Sequence, residues 1–359
     1  MEGRRVSPRD PSRLALDFAL RQGGVMIRRL LLTALVAIGW VSSRCTATDS
    51  PTPLPVPSLA GLEARAPVEN QYPTANPKFH GEVIRLVESN TLSTGDEFLR
   101  CANIACGPIN EYRSARVRYE LVLAAVAKGN RSADDYLPWC WDSLLQTLGR
   151  PMRFDVWGLA AKNPDSDQFV VDPAPGVIRT VMRNPGASRE AAAKAKDNAE
   201  VQTIVDADQA IRAHWNKLSN AERTAASADD HRRNLRIRAI VKEGGLCTDK
   251  DFANASLVMQ HSSSFAGFEL AHELAVCSML LGDRGTGRWL VAATYDRMLN
   301  SVGHEQRFGT QGAWTTSQQA KPEVGATDES GICDAERLAL GCPTLAAKRA
   351  NFYTPKPTG

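Results

Sequence analysis

The sequence contains an internal repeat, and this repeat limits the folds that the chain can adopt. Residues of the same type or size recur at an offset of 153 or 154 positions. Because the offset varies by only one position along the chain, we expect two copies of one structural unit. The matched pairs include Thr94 with Thr248, Phe98 with Phe252, Glu120 with Glu273, Gly129 with Gly282, Asp142 with Asp296, Gly149 with Gly303 and Arg153 with Arg307.

The periodicity within each copy is helical. Apolar residues recur at three- and four-residue spacing from Phe79 onward, and no stretch alternates for long enough to predict a strand. We therefore predict a mainly α protein, a two-copy helical repeat-like array with a long connecting helix. That helix should begin at Ser188, pass through an alanine-rich segment and continue toward Trp215. Another helix is expected over Ala335–Phe352.

The predicted boundaries follow from the repeat and from proline content. A degenerate first copy, which we expect to be structural, spans 78–158, and a proline-rich connection spans 159–187. The second copy, with the intact motif, spans 188–353, and a tail covers 354–359.

The amino-terminal region has the order of a secretory signal. Arg28 and Arg29 precede the apolar run Leu30–Val41, and small residues follow, so we predict a signal segment over 1–43 and a disordered linker over 44–77. The true start can be Met1 or Met26. The chain should be exported, to the periplasm or outside the cell; a lipid anchor at Cys45 is the less favoured alternative because its flanking residues match poorly.

Cysteine content agrees with export. Eight cysteines in an exported chain favour disulfides, and Cys333 with Cys342 would close a short loop. Seven cysteines lie beyond Cys45, so at least one should stay free.

The charge balance excludes one class of partner. A net charge of +3, from 43 basic and 40 acidic residues, comes without a basic cluster that contains exposed aromatics. We therefore expect no nucleic acid partner. The apolar run at the amino terminus is about half the length of a membrane span, so no span is expected in the mature chain. No cofactor is expected.

A candidate site lies in the second copy. The apolar helix that contains Asp296 and Arg297 is followed by a glycine turn, and a charged pair near the end of such a helix needs hydrogen-bonding partners. We expect that pair to be a structural ion pair or to anchor the turn. The predicted ligand-binding residues are Gln260, His261, Asp296, Arg297, Gln306, Gly309, Thr310 and Gln311.

Across about Ile204–Tyr353 these blocks also resemble an uncharacterised bacterial family, the domain of unknown function 6624. Two departures are Gly245-Leu246-Cys247, in place of a Gly-Trp-Pro-like step, and Phe308, where tyrosine is common. The resemblance implies a helical fold and a shared polar cluster, and no known activity. It rests on Asp208-Gln209, Arg212, Asp230, Asn234, Gly245, Gln260-His261, Asp296-Arg297, Gln306, Gly309-Thr310-Gln311 and Arg337 with Leu340–Leu345.

Three interpretations of the cluster remain open. His261 can be a buried structural histidine, part of a ligand site, or a general base oriented by Asp296, with Arg297 holding an anion. Glu269, His272 and Glu273 have a spacing that can ligate metal, but no second motif supports it, so no metal is expected. We therefore expect a binding or scaffold protein of the cell envelope, with an envelope protein or a small ligand as partner. The alternative is an exported hydrolase that uses His261, Asp296 and Arg297.

Overall fold

The computed structural model describes residues 54–69, 76–105, 111–156, 158–162, 170–313 and 323–351. Over these residues the protein is mainly α-helical, as predicted, and its strands form one short antiparallel pair. The helices are α1 (Leu59–Glu69), α2 (Pro77–Glu88), α3 (Gly95–Ile104), α4 (Tyr112–Ala127), α5 (Leu137–Thr147), α6 (Leu159–Lys162), α7 (Gly176–Arg183), α8 (Pro185–Ala192), α9 (Ala199–His214), α10 (Asn220–Lys242), α11 (Asp249–Met259), α12 (Phe265–Leu281), α13 (Thr286–Ser301), α14 (Asp334–Ala339) and α15 (Leu345–Asn351). Short 3-10 helices cover Arg131–Tyr136 and Trp215–Lys217, and the strands are β1 (Gly312–Ala313) and β2 (Glu323–Val324). We call α1–α8 the amino-terminal half and α9–α15 the carboxy-terminal half.

Side-chain caps fix where several helices begin. Thr94 and Glu97 form a capping box at the start of α3, and Thr248 and Asp251 form the same arrangement at α11. In each box the threonine hydroxyl accepts a hydrogen bond from a helical N–H, and the acid accepts one from the threonine N–H. A cap of this kind typically stabilises a helix by about 1 kcal/mol. Threonines 154 positions apart in the sequence therefore begin comparable helices in the two halves.

Helices α4 and α12 form the centre of the protein and are buried along most of their length. Helix α4 packs against α3 and α5, and α12 packs against α11 and α13. Where α4 and α12 meet, Tyr119 Oη lies 2.7 Å from His272 Nε2. His272 Nδ1 lies 3.0 Å from the Val291 carbonyl, which can only accept, so the Tyr119 hydroxyl donates to Nε2. The hydrophobic core is continuous across the two halves.

Two buried ion pairs connect the halves. In each, an arginine of one half binds a glutamate of the other half, and we call them the exchanged ion pairs. Arg307, which follows α13, binds Glu120 of α4 with Nε–Oε1 and Nη2–Oε2 distances of 2.8 and 2.9 Å. Arg153, which follows α5, binds Glu273 of α12 at 2.8 and 3.3 Å. All four side chains are buried. Each arginine is therefore neutralised by the central helix of the opposite half.

The residue before each arginine also forms one isolated bridge. Met152 forms a parallel bridge with Val171, and Gln306 forms one with Thr327. The two bridges thus follow α5 and α13 at matching positions.

The predicted disordered linker contains a helix. Helix α1 lies within residues 44–77; its Leu62 is buried, and its Glu63 binds Arg100 of α3 at 2.5 Å. These are tertiary contacts with distant residues, so the composition of the linker did not reveal them.

The predicted connecting helix from Ser188 to Trp215 is wrong. The chain forms α8, breaks, and starts again as α9, because the Asn198 side chain caps α9 by accepting from the Glu200 N–H at 2.9 Å. The Asn198 backbone N–H donates to Asp251 Oδ1 at 2.7 Å, which holds the break against α11. Within the described residues the longest helix is α10.

Two other predicted segments also differ. The proline-rich connection over 159–187 contains α7, and the predicted helix Ala335–Phe352 is split into α14 and α15. Helix α14 ends at Ala339; Gly341, whose φ of +71° suits glycine, and then Pro343 follow it. Residue 352 lies outside the described residues.

The predicted Cys333–Cys342 disulfide is wrong. None of the six described cysteines forms a disulfide: Cys101, Cys140, Cys247, Cys277, Cys333 and Cys342. Cys333 is the N-cap of α14, whereas the Cys342 N–H binds the Arg337 carbonyl at the opposite end. A six-residue helix is about 9 Å long, beyond the Cα separation of about 4–7 Å that a disulfide tolerates.

Several predictions concern residues outside the described part. These are the signal segment 1–43, the alternative start Met26, Cys45, Cys106 and the tail 354–359. Pro55–Gly359 form one compact unit. Among the described helices, none is both long enough and apolar enough to cross a bilayer.

The exchanged ion pairs predict a large stability loss when one arginine is removed. Arg153→Met should lower the free energy of unfolding by about 3–5 kcal/mol, because Glu273 then stays buried beside Glu269 without a cation. Urea denaturation measures this value. Adding Glu273→Gln should recover part of it, and Arg349→Met, at an exposed pair, should change it by less than about 0.5 kcal/mol. Equal losses in Arg153→Met and Arg349→Met would contradict the prediction.

Candidate functional site

Asp296 on α13 anchors the turn that follows the helix. Its fully buried carboxylate accepts hydrogen bonds from the backbone N–H groups of Arg307 at 2.7 Å, Phe308 at 3.0 Å and Thr310 at 2.9 Å. The Thr310 hydroxyl donates a fourth at 2.7 Å. Burial raises the pKa of Asp296, although these four donors oppose the rise by favouring the carboxylate. Asp296 therefore organises the turn, one of the two roles predicted for it.

The rest of the turn satisfies its own polar groups. Gln306 Nε2 donates to the Gln311 carbonyl at 3.0 Å, and the Gln311 N–H donates to Gln306 Oε1 at 2.7 Å. Gln311 Nε2 donates to the Ala293 carbonyl at 3.2 Å. Gly309 has a φ of +70°, and a Cβ there would lie 2.8 Å from Leu345 Cδ1. Gln306, Gly309, Thr310 and Gln311 thus form a closed structural unit.

The amino-terminal half contains a turn of the same kind. Asp142 on α5 accepts from the N–H groups of Arg153 at 2.6 Å, Phe154 at 3.1 Å and Asp155 at 2.7 Å. Burial raises the pKa of Asp142 to about 6, against the effect of these donors. An aspartate performs the same task in both halves, so this arrangement is structural.

His261 and Arg297 lie in a second cluster, away from this turn. His261 follows α11, and its Nε2 is 3.5 Å from Asp208 Oδ2 of α9. The predicted orientation of His261 by Asp296 is therefore wrong, because all the hydrogen bonds that Asp296 accepts come from the turn. Nor do Asp296 and Arg297 pair with each other: neighbouring residues on a helix point about 100° apart.

Two arginines neutralise the acids of this second cluster, which we call the arginine–histidine cluster. Arg212 Nη2 is 2.6 Å from Asp230 Oδ1 and 3.4 Å from Asp208 Oδ1. Arg233 Nη2 is 2.5 Å from Asp230 Oδ1, and its Nε is 3.4 Å from Asp208 Oδ1. Burial acts to raise the pKa of Asp230, but hydrogen bonds from Arg212 and Arg233 outweigh it and lower the pKa. The cluster consists of the charged or titratable side chains Asp208, Arg212, Asp230, Arg233, His261 and Arg297. We include Asn234, one helical turn after Asp230, and Gln260, which precedes His261.

Arg297 is the arginine of this cluster that has no acidic partner in the described part of the chain. It forms no hydrogen bond or ion pair with any residue that the structure describes, and its Nε is buried without a partner. Burial, and next the charge of Arg212, lowers the pKa of Arg297, and Asp296 only partly offsets this. A guanidinium stays protonated in proteins, so the site holds a positive charge that nothing described neutralises.

Two neutral side chains of the cluster also have unused hydrogen-bonding atoms. Gln260 Oε1 and Asn234 Oδ1 are buried and lack a partner. Unsatisfied groups of this kind are uncommon in native proteins.

The same surroundings keep His261 neutral. Burial, followed by the charges of Arg212 and Arg297, lowers the pKa of His261 to about 3. Its side chain is 20% exposed, so solvent reaches it. A base with so low a pKa is a poor proton acceptor near neutral pH.

The sequence predicts only Gln260, His261 and Arg297 of this cluster as site residues. Asp208, Arg212, Asp230 and Asn234 were noted in the family resemblance but were not included in the predicted site, and Arg233 was missed. The four-residue spacings from Asp208 to Arg212 and from Asp230 to Asn234, which place each pair on one helix face, were the available signal.

The residues whose spacing could ligate a metal have other partners in the structure. His272 binds Tyr119 and Val291, and Glu273 binds Arg153. Burial, and then the neighbouring Glu273, raises the pKa of Glu269 to about 8. Within the described part of the chain, no group of three or more His, Cys, Asp or Glu side chains is arranged to hold a metal ion.

Comparison with known proteins adds no assignment. No family model, curated protein or solved structure matches the chain significantly.

The turn predicts a structural role for Asp296. Asp296→Ala should lower the free energy of unfolding by about 3–5 kcal/mol, because it leaves buried donors without their charged acceptor. Asp206→Ala, on the exposed surface of α9, is the control and should stay within about 0.5 kcal/mol of the parent. Chemical denaturation compares the two, and a parent-like Asp296→Ala would rule out the anchoring role.

His261 should make stability depend on pH. An unfolded histidine titrates near pH 6.5, well above the folded pKa of about 3, so between these values the unfolded chain binds a proton that the folded protein does not. The free energy of unfolding therefore falls as the pH falls below 6.5. In His261→Gln the fall between pH 7 and pH 5 should be smaller by at most about 2 kcal/mol. Urea melts at both pH values test this; identical slopes in the parent and the variant would contradict it.

Proposed function

We propose that this protein is an exported binding protein that holds a small anionic ligand at the arginine–histidine cluster. The observation that supports it is Arg297, a largely buried guanidinium without a partner in the described structure. Burying such a charge costs several kcal/mol unless something compensates it. An anionic group from a ligand would supply that compensation.

The charges of the cluster favour an anion over a cation. Arg212 and Arg233 are matched by Asp208 and Asp230, and His261 is neutral. Arg297 is left over, so the cluster has an excess of one positive charge. A partly buried positive charge attracts an anion more strongly than an exposed one does, since solvent screens it less.

The cluster is also open to solvent at one side. The side chains of Arg212 and His261 are each 20% exposed, and Arg297 is half-buried. A small ligand can therefore reach these groups without unfolding of the surrounding helices.

Two alternatives are less well supported. A scaffold protein should have polar groups that satisfy each other, as the Asp296 turn does, and the arginine–histidine cluster does not. A hydrolase with His261 as base and Asp296 as its orienting acid would need these two side chains in contact and a histidine pKa near neutrality. Neither condition agrees with the pairing of His261 with Asp208 or with its lowered pKa.

Under the proposal, the protein contains two copies of one unit, and the two copies have different roles. The exchanged ion pairs, the two aspartate-anchored turns and the matched capping boxes all support an internal duplication. Ser143 stands at the position that corresponds to Arg297, and its hydroxyl binds the Trp139 carbonyl. Under this proposal the amino-terminal copy is structural, and the carboxy-terminal copy holds the ligand. Most residues of the cluster also belong to the family resemblance described above.

The proposal predicts opposite effects of one substitution on stability and on binding. Arg297→Met removes an uncompensated charge and should raise the free energy of unfolding by about 1 kcal/mol. It should also abolish the extra thermal stabilisation that millimolar phosphate or citrate gives the parent protein. Thermal melts with and without each anion measure both effects.

Arg236→Met provides a matched control. Arg236 lies on α10 but is exposed and paired with Glu200, so its replacement should leave the response to anions unchanged. If Arg297→Met destabilised the protein and responded to anions like the parent, Arg297 would be structural and the proposal would fail.

A further inference from the structure

The unused acceptors of the arginine–histidine cluster restrict the ligand further. Gln260 is 4% exposed and Asn234 is 8% exposed, and the side-chain oxygen of each has no hydrogen-bond partner. Gln260 is next to His261, and Asn234 follows Asp230 by one helical turn. A carboxylate or a doubly ionised phosphate ester can satisfy Arg297, but neither has a hydrogen to donate to these two oxygens.

We infer that the ligand is a hydroxylated oxyanion, in which a hydroxyl group lies beside a carboxylate or phosphate. This inference rests on the proposed function. The oxyanion binds Arg297, and the hydroxyl donates to Gln260 Oε1 or Asn234 Oδ1. The same hydroxyl oxygen can accept from a nearby arginine, and the buried Arg212 Nε lacks a partner.

A hydroxyl fits these acceptors better than an ammonium group does. Both acceptors are neutral amide oxygens, whereas the two carboxylates of the cluster are already bound by Arg212 and Arg233. An ammonium group would also be repelled by Arg212 and Arg297. A neutral donor avoids this repulsion and still satisfies the amide oxygen.

The two amide oxygens should make the site selective. A site built to bind a substrate hydroxyl discriminates against an analogue without it, because the buried protein acceptor then stays unpaired. We expect the loss of the hydroxyl to weaken binding by about tenfold or more.

Two matched pairs of probes test the inference on the full-length protein. Lactate and propionate differ by one hydroxyl beside a carboxylate, and glycerol 3-phosphate and propyl phosphate differ by hydroxyls beside a phosphate. Titration calorimetry should give at least a tenfold lower Kd for the hydroxylated member of one pair. The pair with the larger difference identifies the anion as a carboxylate or a phosphate.

Variants of the protein test separately how the hydroxyl group and the anionic group of the ligand are bound. Gln260→Met keeps the side-chain length but removes the acceptor, so it should reduce the preference for the hydroxylated probe to less than about threefold while the plain anion binds as before. Asn234→Leu is a second variant, in case Gln260→Met melts below the assay temperature. Gln202→Met on α9, whose amide binds Asp206 and Asn254, is the control and should keep the full preference.

The outcomes distinguish this inference from the proposed function. Equal binding of both members of each pair, abolished by Arg297→Met, would overturn the inference and leave the anion site in place. If no probe bound the parent more tightly than Arg297→Met, the anion site itself would be refuted. A hydroxyl preference that survives both Gln260→Met and Asn234→Leu would also overturn the inference.

Discussion

The buried ion pairs exchanged between the two halves are the interaction on which the rest of the structure depends. The turn after α5 contributes Arg153 to Glu273, and the turn after α13 contributes Arg307 to Glu120. Each arginine also has an acid of its own half within 4 Å, Asp172 for Arg153 and Asp328 for Arg307, but its bidentate partner is the buried glutamate of the opposite half. An unpaired buried charge is strongly destabilising. The packing of α4 against α12 therefore brings each arginine to its main carboxylate. This dependence explains why two helical units joined by a long connection form one compact unit.

Within this arrangement, residues at matching positions of α4 and α12 differ in charge. Arg116 on α4 corresponds to Glu269 on α12, 153 positions later. Arg116 pairs with Asp328, whereas Glu269 lies beside Glu273; among the described residues its one cation within 4 Å is Arg153, at 3.7 Å. One arginine shared by two carboxylates cannot neutralise both, and the raised pKa of Glu269 follows from its burial and from Glu273. The change from a basic to an acidic residue is therefore tolerated by protonation rather than by a new partner.

The sequence predicted the helix boundaries that local interactions determine, and it missed the features that depend on tertiary packing. Helix α12 has the predicted bounds Phe265–Leu281, because its apolar run, its serine cap and Gly282 all act within the segment. The break before α9 was missed because it depends on a hydrogen bond from Asn198 to Asp251, 53 residues away along the chain. For the same reason the sequence placed His261 and Asp296 in one site, although they lie in two separate clusters. Which carboxylate faces His261 is decided by how α9 and α11 pack, and a residue pattern within one helix contains no information on that contact.

The adjacent residues Asp296 and Arg297 show how one helix can hold both the anchor of a turn and an unpaired cation. Successive side chains on a helix diverge by about 100°, so Asp296 faces its turn while Arg297 points elsewhere, near Arg212 of α9 and His261. The aspartate has a counterpart in Asp142, which binds the corresponding turn in the same way. Arg297 corresponds to Ser143, whose hydroxyl is satisfied within its own helix. Because the anchor and the free cation point in different directions, the position of Arg297 could acquire an unpaired charge without disturbing the turn. This uncompensated charge, beside a turn of a kind that both halves contain, is the feature that the proposed ligand would neutralise.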